Sequence, residues 1–288
     1  MQSTPFWRIW ESPVSAITPE DRAQASLPGT RPAGALDDAA AARQVREMFS
    51  RIAPRYDLLN HLLSLRFDVA WRRRLARRFD DLLAQPGIRV LDLCCGTGDL
   101  TFALASQARV RAPRNSGRAG ETSGQGKQFL GADFAHPMLI RAREKAAANG
   151  RQTAVEFLEA DALHLPFASE SFDLVTTAFG FRNLANYAAG ITELRRVLRP
   201  GGSLAILEFA EPQGALFGRL FRFYFRRVLP KIGGLISHNS QAYGYLPNSV
   251  ARFPHPAELA NLLRDAGFAE VAFERWTGGI VALHVARR

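Results

Sequence analysis

The chain is poor in sulfur. It has 2 cysteines and 3 methionines among 288 residues, and the cysteines, Cys94 and Cys95, are neighbours. Adjacent cysteines seldom bridge each other, which argues against a disulfide framework and against a cysteine-based zinc site. Long apolar runs are also missing. Ser203 to Phe209 is among the longest, far short of the roughly 20 residues a membrane helix needs. No Gly-Lys-Ser or Gly-Lys-Thr occurs, and this excludes a P-loop. Acid is scarce as well: 27 Asp and Glu face 37 Lys and Arg, for a net charge of +10. Such an excess suits simple solubility, an anionic membrane surface or nucleic acid.

What is present is apolar content of 47%, enough for one well-packed domain of about 230–250 residues plus a tail. The organising stretch is Arg89-Val-Leu-Asp-Leu-Cys-Cys-Gly-Thr-Gly-Asp-Leu-Thr101. A continuously apolar strand, Ile88 to Leu93, predicts a central parallel strand. Gly96 and Gly98 then permit a sharp turn and close approach of a ligand. A helix follows from about Asp99. This is the nucleotide-binding corner of a doubly wound sheet, with Asp92 inside it. Thr101 stands where a dinucleotide fingerprint has its third glycine.

Residues 1–40 hold Pro, Ser, Gly and Ala with little periodicity. They read as a disordered leader, or as a start codon placed too far upstream, and the domain is expected over 41–288. Val45, Met48, Phe49 and Ile52 recur at helical spacing. Pro54 breaks that helix and a second runs from about Asp57. A third is expected from Asp68 to Leu83, with Trp71, Leu75, Phe79 and Leu82 inward and Arg72, Arg73, Arg74, Arg77 and Arg78 outward. These helices can cap the cofactor pocket. Residues 111–127 are rich in Gly, Ser and Arg and read as a surface insertion.

Gln128 to Asp133 is the second strand and ends in an acid. Asp133 lies farther beyond Gly98 than the usual spacing of about 20, and removing the insertion restores it. Its carboxylate can accept both hydroxyls of a ribose. The third strand, Val155 to Leu158, leads to Asp161 and Ala162, suited to an adenine amino group and a ring nitrogen. Ser171 to Phe179 is the fourth strand, followed by Gly180-Phe-Arg-Asn183. A helix from Tyr187 to Leu198, a turn over Arg199-Pro-Gly-Gly202 and a strand from Ser203 to Phe209 come next. The chain closes with helix Pro256 to Ala266 and strands Ala269 to Arg275 and Ile280 to Ala286, which their short link makes antiparallel. The fold class is α/β, with a seven-stranded, mostly parallel sheet, one reversed strand, helices on both faces and an N-terminal helical cap.

In their order, Leu91 to Gly98, Asp133, Asp161-Ala162, Phe172-Asp173-Leu-Val and Leu198-Arg-Pro-Gly-Gly202 resemble the motifs of class I S-adenosylmethionine (SAM) methyltransferases, Rossmann-like enzymes. Val45 to Asn60, Phe179-Gly-Phe-Arg-Asn183, Leu207-Glu-Phe209, Leu229 to Leu235, Tyr243 to Ser249 and Gly278 to His284 are similar, more narrowly, to the quinone C-methyltransferases of menaquinone and ubiquinone biosynthesis. That resemblance spans about residues 43–286. It implies methyl transfer from SAM to a ring carbon of a polyprenylated quinol. Demethylmenaquinol is the favoured acceptor, and 2-polyprenyl-6-methoxy-1,4-benzoquinol the alternative. It carries cofactor contacts over to Thr97, Asp133, Asp161 and Ala162, with Gly96, Gly98 and Asp92 in the same corner. A family position that is commonly serine is Ala178 here, and any side-chain contact from it is lost.

A methyl sulfonium is already activated, so no metal is expected. The ring carbon gains reactivity when a neighbouring hydroxyl ionises, which calls for a base or a group that stabilises the phenolate. Arg182 and Asn183 follow the fourth strand and are the catalytic candidates. Arginine is a poor base but can stabilise a phenolate or hold a water. Tyr56, His238 and Tyr243 are substrate candidates, with Asp57, Asn239 and Tyr245 near them. Leu216 to Leu229 interleaves large apolar residues with arginines, a pattern that fits an anionic membrane interface or an ordinary core helix. The expected location is cytoplasmic, with the inner membrane face as a peripheral variant, and a homodimer is compatible. An RNA or DNA methyltransferase is the main rival, since basic charge and aromatics suit it. The loop after the fourth strand lacks the Asn/Asp-Pro-Pro-Phe/Tyr pattern of adenine-amino methylation, and both cysteines sit in the cofactor loop. No nucleic-acid partner is therefore expected.

Overall fold

The computed structural model describes residues 29–32, 34–110, 126–150, 154–212, 218–219, 245 and 248–288. His238, Asn239, Tyr243, nearly all of the 111–127 insertion and all of Leu216–Leu229 except Gly218 and Arg219 lie outside the described residues. Asp37 opens helix α1 (Asp38–Ile52), its carboxylate accepting the Ala40 N–H at 2.6 Å. An acid there satisfies a donor that the helix cannot. Pro54 sits in a 3₁₀ turn (Ala53–Arg55) that leads into α2 (Tyr56–Leu63). Then come α3 (Phe67–Arg78), α4 (Asp80–Ala84), β1 (Arg89–Leu93), α5 (Asp99–Val110), β2 (Gln128–Asp133) and α6 (His136–Ala148). The chain continues through β3 (Glu156–Glu159), β4 (Phe172–Ala178), α7 (Tyr187–Val197), β5 (Leu198–Phe209), α8 (Pro256–Asp265), β6 (Ala269–Trp276) and β7 (Val281–Arg287).

The strands form one seven-stranded sheet in the order β3-β2-β1-β4-β5-β7-β6. The pairs from β3 to β5 are parallel, and β7 runs against both β5 and β6. The one reversed strand expected from the short β6–β7 link is therefore β7. Side chains alternate between two buried layers, as the period of two requires. Val90, Leu174, Ala205 and Leu207 pack with Trp71, Leu75, Leu83 and Leu104 on one face. Leu91, Val175, Leu204 and Ile206 pack with Ile191, Leu194, Leu259 and Leu263 on the other. Helices cover both faces, which is why the central strands read as unbroken apolar runs.

The expected third helix is two. Phe79, at φ −112° and ψ 23°, interrupts it, and α4 starts afresh at Asp80. The break re-aims the chain so that Leu83 is fully buried and Leu82 sits only at the margin. Arg72 was expected outside with its neighbours, but it is 8% exposed. Asp68, one turn earlier, accepts from it at 2.5 Å, and Asp99 on α5 lies 3.7 Å away. Periodicity alone does not separate a solvated arginine from one that meets an acid on another helix. Strand β5 also starts earlier than expected. Leu198 pairs with Phe172 and Ser203 with Leu174, and Arg199-Pro-Gly-Gly202 forms an irregularity between them, where Pro200 has no N–H to give the ladder. Gly29 and Thr30, within the segment read as leader, pack on Leu184–Ala185, with the Thr30 N–H donating to the Leu184 carbonyl at 2.7 Å. Among the described residues no helix is long and apolar enough to cross a membrane.

Asp68 also accepts from Ser64 Oγ at 2.6 Å and contacts His61 Nδ1 at 2.9 Å. Burial alone would raise its pKa, but Arg72, Ser64 and His61 outweigh that and hold it below 3.8. Asp68→Asn strips a buried arginine of its nearest counter-charge, so it should cost about 3 kcal/mol in urea denaturation at neutral pH. The folded pKa is the lower one, so the pair's contribution is full above 3.8 and fades as pH falls below it. An unchanged urea midpoint at neutral pH would show that the pair adds no stability.

Candidate active site

Chain order reverses between β1 and β4, the place where open α/β sheets leave a crevice at the strands' carboxyl ends. There a cleft of about 700 Å³, its open mouth included, is lined by Leu93, Cys94, Gly96, Asp133, Phe134, Met138, Ala160, Asp161, Ala162, Leu163, Phe179, Gly180, Asn183, Leu184 and Ala185. Ala42 and Phe49 of α1 and Tyr56 of α2 close it from above. Two non-glycine residues at its floor, Cys94 (φ 55°) and Phe179 (φ 62°), are left-handed. Such strain persists only where surroundings enforce it. The turns after β1 and β4 touch, and a Cβ on Gly180 would fall 2.2 Å from the Cys94 Cβ.

Asp92 lies below this floor and is 1% exposed. Thr101 Oγ1 donates to it at 2.6 Å and Thr176 Oγ1 at 3.0 Å. Burial pushes its pKa up to about 7 despite those bonds. Asp92 thus ties α5 and β4 to β1, and Thr101 occupies the third-glycine position because it serves that carboxylate. Asp133 stands at the tip of β2 on the cleft wall. Its two oxygens accept the Gly96 and Ala135 N–H groups, each at 2.9 Å. Burial raises its pKa to about 6, with those N–H bonds pulling the other way. Asp161 lines the cleft half exposed, one oxygen accepting the Leu163 N–H at 2.9 Å.

Thr97 is buried and turned away from the cleft lining. Its hydroxyl donates to Asp57 at 2.5 Å and accepts from Lys145 at 3.1 Å. Lys145 also pairs with Asp57 at 3.0 Å and with Asp99. Thr97 therefore belongs to a latch that joins the cap helix α2 to the glycine turn. Neither Gly98 nor Asp92 lines the cleft, whereas Gly96 does, beneath the Tyr56 ring. Tyr56 stays protonated, because burial raises its pKa against the pull of Arg72. Ligating atoms of His61, Asp68 and Asp99 come within 4.8 Å of one another, but Arg72 and Lys145 already neutralise both acids.

On the opposite wall a 3₁₀ turn, Phe181–Asn183, carries the two catalytic candidates. Asn183 faces the cleft, its Oδ1 accepting from Tyr245 Oη at 3.1 Å. Arg182 is 5% exposed and pairs at 3.0 Å with Glu208, itself 1% exposed. Glu208 takes the Arg182 backbone N–H too, at 3.1 Å, while Arg182 Nη1 also donates to the Phe179 carbonyl. Arg182 Nε has no partner. Burial would lower the guanidinium pKa, but Glu208 outweighs it and raises it, so Arg182 is a fixed cation. Glu208 and Lys145 are the two groups here that no sequence pattern assigned. A lone acid inside the apolar strand Ser203–Phe209 was the signal for Glu208; Lys145 carries none.

The model of the ubiE/COQ5 methyltransferase family matches residues 37–288. A demethylmenaquinone methyltransferase of Thermus thermophilus is 51% identical over 241 residues, covering 84% of this chain and 100% of that one. Another, from Deinococcus radiodurans, is 47% identical, covering 84% and 91%. Among solved structures, a SAM-dependent methyltransferase of Thermotoga maritima superposes with a TM-score of 0.56 at 18% identity, covering 84% of this chain and 99% of that one. This last likeness is one of fold.

Glu208→Gln leaves Arg182 buried without its counter-charge and should cost about 3 kcal/mol in urea denaturation. Replacing both partners, as Arg182→Met with Glu208→Leu, should recover most of that loss, since no orphaned charge remains. Strictly additive losses in the double variant would show that the two side chains do not act as a pair.

Proposed function

This chain belongs to the ubiE/COQ5 methyltransferase family, and from that premise we propose that it methylates a ring carbon of a polyprenylated quinol, converting demethylmenaquinol to menaquinol with S-adenosylmethionine as co-substrate. One observation carries the reading: a largely apolar cleft has Asp133 and Asp161 on one wall and Asn183 on the other, with Arg182, expected at the pocket mouth, buried behind that wall in its pair with Glu208. The residues present fit an adenosyl group. Asp133 accepts the Gly96 and Ala135 N–H groups and still has lone-pair capacity for a ribose hydroxyl. Phe134 and Met138 offer an apolar slot for a purine, with Asp161 and Ala162 at its edge.

SAM, when bound, supplies a methyl group that its sulfonium already makes electrophilic. What remains for the protein is alignment and exclusion of water. Arg182, paired with Glu208 behind the lining, fixes the turn that presents Asn183 to the acceptor. Asn183 spends its carbonyl on Tyr245, so its amide NH₂ is the group that serves the acceptor. Burial, reinforced by Asp133 and other carboxylates, holds Cys94 and Cys95 protonated. Neither thiol is thus a nucleophile of the kind that cytosine C5 methylation needs. A prenyl tail is dissolved in a bilayer, and the +10 charge suits work at an anionic membrane face.

Purified protein should move label from SAM to a short-chain demethylmenaquinol and not to bulk RNA; the reverse result sinks the proposal. A deletion strain should accumulate demethylmenaquinone, and loss of ubiquinone alone would reassign the acceptor to the benzoquinol. Affinity for S-adenosylhomocysteine should depend on pH through Asp133. The ribose hydroxyls need the carboxylate, so affinity is full above about 6 and weakens about tenfold per unit as pH falls below it. Calorimetric titration of the parent and of Asp133→Asn checks this: the variant should bind weakly with a flat profile, and equal slopes would clear Asp133 of the role.

A further inference from the structure

The turn between α2 and α3 spends conformational energy to put apolar side chains in water. Leu58, Leu65 and Phe67 are 62%, 73% and 47% exposed. One exposed leucine needs no explanation, but three large apolar residues between positions 58 and 67 do. Leu65 and Arg66 are both left-handed, at φ 50° and 63°. A turn that only linked two helices would use glycine there. The corner is also firmly backed. The N–H groups of Ser64, Arg66 and Phe67 reach the carbonyls of Asn60, His61 and Ser64 at 2.9, 2.8 and 3.0 Å. Ser64 and His61 in turn rest on buried Asp68.

The charges around this corner have one sign. Between residues 51 and 78 every exposed charged side chain is an arginine, with Arg66 in the turn itself and Arg73 on the following helix. The acids of the span, Asp57 and Asp68, are drawn inward to Lys145 and Arg72. The corner also lies on the cleft's side of the molecule. Phe67 stacks on Trp71 at 5.9 Å, and Trp71 lies 5.9 Å from Phe179 in the cleft wall. Tyr56, at the other end of α2, covers Gly96. An aromatic row thus runs from the surface turn to the cleft.

We propose that the α2–α3 turn is a docking wedge for an anionic lipid bilayer. Leu65 and Phe67, with Leu58 beside them on α2, enter the boundary between headgroups and acyl chains, while Arg66 and Arg73 meet lipid phosphates. Its purpose, delivery of a bilayer-dissolved acceptor to the cleft, rests on the quinol reading; the docking does not.

The test uses the full chain and vesicles free of quinol, made of phosphatidylcholine alone or with phosphatidylglycerol added. The parent should float with the anionic vesicles, release in high salt, and ignore the neutral ones. Leu58→Glu with Leu65→Glu should cut the bound fraction about tenfold, since both apolar contacts become charged. Both sites are exposed, so the melting temperature should shift by only a few degrees, as is usual for surface changes, and methylation of a water-soluble short-chain quinol should stay within about twofold. Methylation of a long-chain quinol embedded in anionic vesicles should fall with binding. A parent that does not float overturns the proposal, and so does a double variant that floats as well as the parent. So does a dimer in sedimentation that Leu65→Glu splits, because the corner would then face a second copy. Vesicle binding that depends on Leu58 and Leu65, without any quinol methylation, would uphold the docking and remove the acceptor.

Discussion

Asp92 sits in the middle of an apolar sheet, and the corner is built on its two hydroxyl partners. Thr101 Oγ1 fixes where α5 begins, and Thr176 Oγ1 fixes β4 beside β1. Between those anchors the chain has to turn from strand to helix in the few residues Cys94 to Gly98. The tight turn brings the Gly96 N–H to Asp133 and the Cys95 N–H to the Ala132 carbonyl. It also presses Cys94 against Gly180. An acid with a pKa of about 7 is costly in such a place. What it secures is the junction of three elements on which both cleft walls stand.

Charge reinforces the cap's apolar packing, in which Phe49, Ile52, Ala53 and Tyr56 meet Ala135 and Met138. Asp68, Arg72, Asp99, Lys145 and Asp57 alternate in sign from α3 through α5 and α6 to α2, with Thr97 bridging the end. A chain of this kind ties the cap's position to the position of the glycine turn. It also explains why Thr97, placed beside the cofactor by motif, turns its hydroxyl toward the cap. A shift of α2 would move Tyr56 over Gly96 and strain the latch together.

Electrostatics divides the cleft. Asp133 and Asp161 make one wall acidic, while behind the other lies the buried Arg182–Glu208 ion pair. Apolar surface lies between them, so each charge acts at short range in a poorly screened place. Glu208 acts only through Arg182, as the group that keeps the guanidinium in one orientation.

Much of this was legible in the residues. The continuous apolar strands, the glycine turn and the acid ending β2 establish a doubly wound sheet and its corner, because burial on both faces leaves a local pattern. The short β6–β7 link dictates a reversed strand. Asp133 was visible past the insertion because its meaning depends on the end of a strand. Other features depend on partners distant in sequence. Arg72 looked like the other arginines of its helix until Asp99 came to face it. Lys145 meets Asp57 and Thr97 only after α6 packs beside the turn. Arg182 stood next to Asn183 in a motif, yet one is buried in an ion pair and the other faces the cleft. Periodicity reports whether a side chain points in or out; which charge it meets there was decided by the tertiary structure alone.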